Sequence, residues 1–334
     1  MLITFKNVGQ GDSILLEWKK NDDTKGIAII DCKKENRKNP VLDHIKKSNI
    51  RQIDFLIWTH PHSDHHSGML ELLNYCEENN IVIHDFLTSS LRFTTSEQAK
   101  RYLGWYVTEI DKIGTALDEL FNKIILLYED KNGIIKSLNP PVSSPSFNLN
   151  QEIKLHFLAP DVYEQAMFIT KLEKNPHLKE SSTANLFSCI IFLDVGESFA
   201  LLTSDAEKDT FARLVDSPYF GNKKIILAQV PHHGSINNHQ INFWRSLRHD
   251  TNTPAIISVG INRHGHPSPK VIEDFENEYY YIHKTNELPV ESSIIVNNTI
   301  ALDEDIFTQQ ELIGNDICFE LDIKNGFARR EDIY

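Results

Sequence analysis

The run His60-Pro61-His62-Ser63-Asp64-His65 puts three histidines and an aspartate into six residues. Two histidines at i and i+2 in a loop can point at one ion. Asp64 and His65 can face a neighbouring one, and imidazole nitrogen with carboxylate oxygen suits zinc, manganese and iron. The alternative is a surface loop that happens to be rich in histidine. Such a loop has no need of an aspartate inside the run.

Other candidates stand in similar places. Asp205 has two oxygens and could bridge two ions, or it could cap a helix over 207–216. In the pair His232-His233 one residue is expected to be a ligand, and the spacing does not say which. His266, in Gly265-His266-Pro267, can meet metal or substrate, or fill a turn. His264 is a weaker case. Ser235 and Asn262 could hold substrate oxygens. Asp31 is expected to support the histidine loop by hydrogen bonds rather than to bind metal. His44, His84, His156, His177, His239, His249 and His283 lack such surroundings and read as ordinary histidines.

These residues must be held by rigid elements, and the chain supplies them. Short apolar runs precede each cluster: Gly26–Ile30 before Asp31, Phe55–Trp58 before His60, Phe199–Leu202 before Asp205, Ile225–Ala228 before His232, and Ala255–Val259 before Asn262, His264 and His266. Buried strands with functional loops at their ends can bring distant residues to one rim of a sheet. Met69, Leu72, Leu73 and Cys76, and later Phe211, Leu214 and Val215, recur at helical spacing after two of these loops. Strand, loop and helix therefore alternate in α/β fashion. Ser13–Trp18, Asn21-Asp22-Asp23 and Gly26–Ile30 read as a hairpin.

The blocks Val8-Gly9-Gln10-Gly11-Asp12-Ser13, Thr59 to His65, Leu201-Leu202-Thr203-Ser204-Asp205-Ala206-Glu207, Val230-Pro231-His232-His233-Gly234-Ser235, and Ser258-Val259-Gly260 with Gly265-His266-Pro267 follow one another in the chain. Together they resemble the metallo-β-lactamase-like hydrolases, and most closely the branch typified by the C-terminal domain of the competence protein ComEC. The resemblance spans roughly residues 3 to 275 with a gap in the middle. It implies an α/β fold, an αββα sandwich with metals at one edge, and hydrolysis, most often of phosphodiesters, DNA among them. It also implies one or two divalent ions, Zn2+ or Mn2+. His60 and His62 would hold one ion, Asp64, His65 and one of His232 and His233 the other, and Asp205 would bridge. By the same resemblance the Gly9–Asp12 turn is structural. Many members add a further histidine to the first metal. Here His84 and His156 are candidates, and Asn185 stands where the branch has an asparagine. Ser204 replaces the usual glycine before the bridging aspartate. The chain begins at the first strand of the domain, so the channel portion of ComEC is not expected and DNA uptake is not implied.

Between His65 and Asp205, the residues Leu103, Tyr106, Ile110, Ile113, Leu117, Leu120, Ile124 and Leu127 alternate at spacings of 3 and 4. This heptad seam predicts one helix over 96–129. It would pack on the protein's own core or dock a second copy or a partner protein. Residues 130–150, with Asn139-Pro140-Pro141, read as a flexible connection. The expected layout is a hydrolase domain over 1–285, with a helical insertion at about 90–150, and a small β extension over 286–334.

The net charge of −13 repels nucleic acid and anionic membrane globally. Bound metal would reverse that sign locally. A basic patch of Lys33, Lys34, Arg37 and Lys38 follows Asp31, and Lys33 and Lys34 could grip phosphates. No apolar run is long enough to cross a bilayer, and no secretion signal is visible. Four scattered cysteines make neither a CxxC site nor a disulfide framework, so a reduced, cytoplasmic protein without membrane contact is expected. The leading reading is a metal-dependent phosphodiesterase or nuclease. The alternatives are hydrolysis of another ester, thioester or lactam, or a metal-stabilised subunit of a larger complex.

Overall fold

The computed structural model describes residues 1–88, 114–139, 146–164, 166–167, 170, 181–287 and 315–331. Two sheets face each other. The first contains β1 (Leu2–Phe5), β2 (Ile14–Lys19), β3 (Lys25–Ile30), β4 (Gln52–Trp58), β5 (Val82–Thr88) and β6 (Ile135–Asn139). The second contains β7 (Phe147–Asn148), β8 (Lys154–Ala159), β9 (Ile190–Val195), β10 (Ser198–Leu202), β11 (Lys224–Gln229), β12 (Thr253–Ile257) and β13 (Tyr280–Lys284). A last hairpin, β14 (Ile317–Asp322) and β15 (Phe327–Glu331), adds to the first sheet beyond β1. The sheet orders are β15-β14-β1-β2-β3-β4-β5-β6 and β13-β12-β11-β10-β9-β8-β7.

Strand alternation builds three apolar layers. Ile14, Leu16, Ala28 and Ile30 turn toward the second sheet and meet Leu155, Leu193, Ala200 and Leu202. Their neighbours Leu15, Ile27 and Ile29 point the other way. There they lie under α1 (Pro40–Lys47), α3 (Met69–Glu78) and α4 (Gly114–Glu129), with the short α2 (Ser63–His66) between α1 and α3 in the chain. On the far face Phe199, Leu201 and Ile257 pack with Phe211 of α5 (Lys208–Leu214), Phe243 and Trp244 of α6 (Ile241–Ser246), and Phe275 of α7 (Pro269–Asn277). This is the expected αββα sandwich.

The expected hairpin forms, with Ile14 opposite Ile30. One expectation needs correction: residues 135–139 are not a flexible connection but a strand parallel to β5, with Ile83 opposite Ile135. The small C-terminal β extension forms and joins the first sheet, where Leu2 pairs with Glu320, across almost the whole chain. Of the expected helix over 96–129, Gly114–Glu129 is helical and the rest lies outside the described residues. Leu117, Leu120, Ile124 and Leu127 are buried with Phe121 in the protein's own core. That half of the seam is therefore not exposed for docking, and its other four positions are outside the described residues.

The first sheet runs parallel from β3 to β6 and the second from β10 to β13. Parallel pairing puts the C-terminal ends of β3, β4, β10, β11 and β12 at one edge of the sandwich. All the candidate ligand loops leave from there.

Candidate metal centre

Asp205 stands at the middle, buried just past β10. Its Oδ2 lies 3.5 Å from His60 Nε2 and 3.5 Å from His232 Nε2. Its Oδ1 lies 3.5 Å from His65 Nε2 and 3.7 Å from His233 Nε2. Asp64 Oδ2 is 3.5 Å from His233 Nε2, and His62 Nδ1 is 3.0 Å from His60 Nε2. Most of these separations are long for a strong hydrogen bond. They match the edges of a coordination polyhedron, since ligand atoms bound tetrahedrally at about 2.0–2.1 Å stand about 3.3 Å apart.

Two donor sets follow, one on each oxygen of Asp205. His60, His62 and His232 gather on the Oδ2 side, and His65, His233 and Asp64 on the Oδ1 side. Sequence left open which of His232 and His233 faces the metals. The geometry brings in both, and His232 takes the place sought for a third nitrogen beside His60 and His62. His84 is exposed on β5, and His156 packs against Phe192 and Tyr219, so neither reaches the site.

Each inward nitrogen is prepared by what holds the outward one. His65 Nδ1 donates to Asp31 Oδ2 (2.6 Å), His233 Nδ1 to the Ser258 carbonyl (2.8 Å), and His232 Nδ1 to Asn238 Oδ1 (2.8 Å). His60 Nδ1 faces Thr59 Oγ1 at 3.1 Å, whose own hydroxyl donates to Asp31. With Nδ1 carrying the proton, Nε2 presents a lone pair to the centre. His65 Nε2 and His233 Nε2, 3.5 and 3.7 Å from Asp205 Oδ1, and that oxygen itself are buried with no hydrogen-bond partner among the described residues. Orphaned buried polar atoms are costly. Converging lone pairs of this kind fit divalent cations.

The electrostatics agree. Burial opposes the ionised form of Asp205, but His232, His65 and His233 hold its carboxyl well below the usual range. Burial likewise opposes charge on His233, yet Asp205, Asp64 and Asp12 raise it to about 9. The cluster thus draws positive charge. His60 and His62 are pushed down, to about 4 and about 3, by burial first and then by neighbouring histidines. They are neutral near pH 7, as ligands must be.

The backbone is bent to reach this arrangement. Asp31, Ser204, His232 and His233 have φ of 57°, 47°, 48° and 54°. Left-handed non-glycine residues cost about 1–3 kcal/mol each and collect at functional sites. At Ser204 the backbone adopts a conformation that a glycine would reach without this strain. Two successive left-handed residues splay the rings of His232 and His233, whose planes stand 79° apart.

Several expected substrate contacts are otherwise employed. Lys33 is buried, and its Nζ donates to the Val8 carbonyl (2.8 Å) and pairs with Glu35 (2.6 Å). It fastens the Gly9–Asp12 turn and cannot reach a phosphate. Lys34 is exposed, and its Nζ stands 3.8 Å from Glu71 Oε2. Asn262 spends its amide on loop backbone, donating to Gly260 and His266 carbonyls and accepting from His264 and His266 N–H. Ser235 is buried, its N–H bonded to the His232 carbonyl. His266 does reach the mouth, with its ring 5.6 Å from that of His232 and His264 beside it. The helix-cap alternative for Asp205 does not hold, because α5 starts after Glu207.

Sequence reading missed three supports. Gln229 accepts from the N–H groups of Thr203 and Ser204 and donates to Asp12. Thr59 joins Asp31 to Ser204 and His60. Asp12, taken as part of a structural turn, is buried within reach of Asp205 and His233. Thr59 directly follows β4, Gln229 ends β11 and Asp12 stands just before β2, so nearness to a strand end was the available signal.

No family model matches the chain, and no curated protein does. Solved structures similar to it include Zn2+-bound PqqB from Methylobacterium extorquens, 7 % identical, with 85 % of this chain and 98 % of that chain covered and a TM-score of 0.44. Another is the metallo-β-lactamase fold protein YhfI from Bacillus subtilis, 10 % identical, covering 85 % and 97 %, with a TM-score of 0.44. A long form RNase Z from yeast is 11 % identical, covering 78 % and 37 %, with a TM-score of 0.38. Likenesses this distant say nothing of what this chain acts on. No described helix is long and apolar enough to cross a membrane.

Proposed function

We propose that the chain is a two-metal hydrolase of phosphodiesters, nucleic acid among them, with Zn2+ or Mn2+ at the centre. The carrying observation is the Asp205 carboxylate, with two imidazole nitrogens facing each of its oxygens. His60, His62 and His232 would hold one ion, and Asp64, His65 and His233 the other. Such ions would supply Lewis-acid activation of water and of a phosphoryl oxygen. The residues do the rest. Asp31, Ser258 and Asn238 fix the ring tautomers. Asp64, a third exposed and so nearer the mouth than Asp205, can orient an attacking water. His266 is held down to about 4 by burial and by His232 and His233, so it is neutral near pH 7 and can hydrogen-bond a substrate or water at the mouth. The loop bearing it also exposes Arg263 and His264. That favours an anionic substrate despite the acidic whole.

The test is hydrolysis of bis-p-nitrophenyl phosphate and of DNA by the protein reloaded with Mn2+ or Zn2+. Turnover lost in Asp205→Ala supports the reading. A protein that binds both ions yet cleaves no phosphodiester contradicts it.

A further inference from the structure

Asp12 belongs to no donor set assigned above, yet it is built into the same place. Only 2 % of it is exposed. Two hydrogen bonds of its own fix it to the loops that carry ligands. Its N–H donates to the Asp64 carbonyl (3.1 Å). Its Oδ2 accepts from Gln229 Nε2 (2.8 Å). Gln229 in turn binds the N–H groups of Thr203 and Ser204 at 2.8 and 3.1 Å, just before Asp205. The close approach requires Gly11, where a Cβ would lie 2.2 Å from the Asp64 carbonyl oxygen.

The other carboxylate oxygen, Oδ1, is buried without a hydrogen-bond partner among the described residues. A buried carboxylate with one of its oxygens unanswered is expensive. A purely structural residue here could be a neutral amide and keep the Gln229 contact. Asp12, Asp205 and His233 have donor atoms that all lie within 4.8 Å of one another. Donors on opposite sides of a six-coordinate ion with bonds of about 2.1 Å stand about 4.2 Å apart, so these atoms need to close by no more than about 0.6 Å to share a single ion.

We propose that Asp12 supplies a third carboxylate to the Asp64/His65/His233 subsite and biases that subsite toward an oxygen-preferring ion such as Mn2+. Carboxylate-rich, six-coordinate surroundings suit manganese, whereas nitrogen-rich tetrahedral ones suit zinc. The histidine set on Oδ2 of Asp205 keeps the zinc-like character. The two subsites therefore differ in kind. This inference rests on the metal-binding part of the proposed function and not on the bond that is cleaved.

The test uses the full chain, stripped with chelator and titrated with Mn2+ alone and with Zn2+ alone. Bound metal is read by elemental analysis and by the Mn2+ paramagnetic resonance spectrum. Asp12→Asn preserves the shape and an acceptor for Gln229, and Asp12→Ser provides a second variant if the first folds poorly. The expected result is a loss of Mn2+ affinity of about tenfold or more, a smaller change for Zn2+, and an altered Mn2+ spectrum. Unchanged Mn2+ affinity in a folded variant overturns the proposal, as does equal loss of both ions. A wild-type protein that takes up neither ion overturns the metal centre itself, whereas absence of phosphodiesterase activity leaves the Asp12 result standing.

Discussion

Replacing Asp31 by asparagine should cripple the metal centre although Asp31 touches no ion position. The carboxylate is fully buried and accepts from Thr59 N–H (2.8 Å), Thr59 Oγ1 (2.6 Å) and His65 Nδ1 (2.6 Å). Burial pushes its pKa up, and His65 and Thr59 oppose that shift. In Asp31→Asn the amide oxygen can keep the Thr59 N–H. The NH2 group then stands where Oδ2 accepted from His65 and Thr59, so donors meet donors. His65 escapes by moving its proton to Nε2, and a proton rather than a lone pair then faces Asp205 Oδ1, 3.5 Å away. Binding an ion must reverse that tautomer against the loss of a charge-assisted hydrogen bond, which is about 1.5–3 kcal/mol. The expected weakening is about 10- to 150-fold in affinity. Chelator competition with Zn2+ measures it, with circular dichroism showing that the fold persists. A folded Asp31→Asn protein with wild-type Zn2+ affinity would refute the tautomer reasoning.

Other substitutions test separate parts. Gly11→Ala, with φ of 138° and no room for a methyl beside Asp64, should give a folded but metal-poor protein by elemental analysis. Leu120→Ala, on the buried face of α4, should cost about 2–5 kcal/mol in denaturant unfolding and leave metal content intact. Glu17 tests pH dependence: burial would raise its carboxyl, but hydrogen bonds from His44 and Lys25 prevail and hold it at about 2 against an ordinary 4.5. The resulting stabilisation is complete above pH 4.5 and is lost as pH falls toward 2. Glu17→Gln should therefore cost about 2 kcal/mol at pH 7 and progressively less in acid, as read from urea unfolding at stepped pH.

Much of the site could be read in the chain because its ligands follow apolar strands, and parallel strands end at one edge. His60, His65, Asp205 and the His232-His233 pair were visible for that reason. What was not legible depends on conformation or on distant pairing. The choice between His232 and His233 dissolves because two left-handed residues in succession aim both rings at Asp205. Lys33 reads as a surface cation, but the turn that starts at Val8, 25 residues upstream, wraps over it and takes its Nζ. Asp12 lies near the metal centre only because Gly11 lets that turn touch the Asp64 backbone. The strand at 135–139 carries the mixed sequence Ile-Lys-Ser-Leu-Asn and sits at a sheet edge, where alternation is weakest. The last hairpin finds its place by pairing with β1, a register that no local pattern encodes.

The central claim is that Asp205 joins two cation subsites. Elemental analysis of the wild-type protein beside Asp205→Ala and His232→Ala tests it most directly. Two divalent ions per wild-type chain, lost or reduced in Asp205→Ala and reduced to one in His232→Ala, is the result the geometry requires. A wild-type protein that takes up no divalent ion, or an Asp205→Ala variant that retains both, would contradict it.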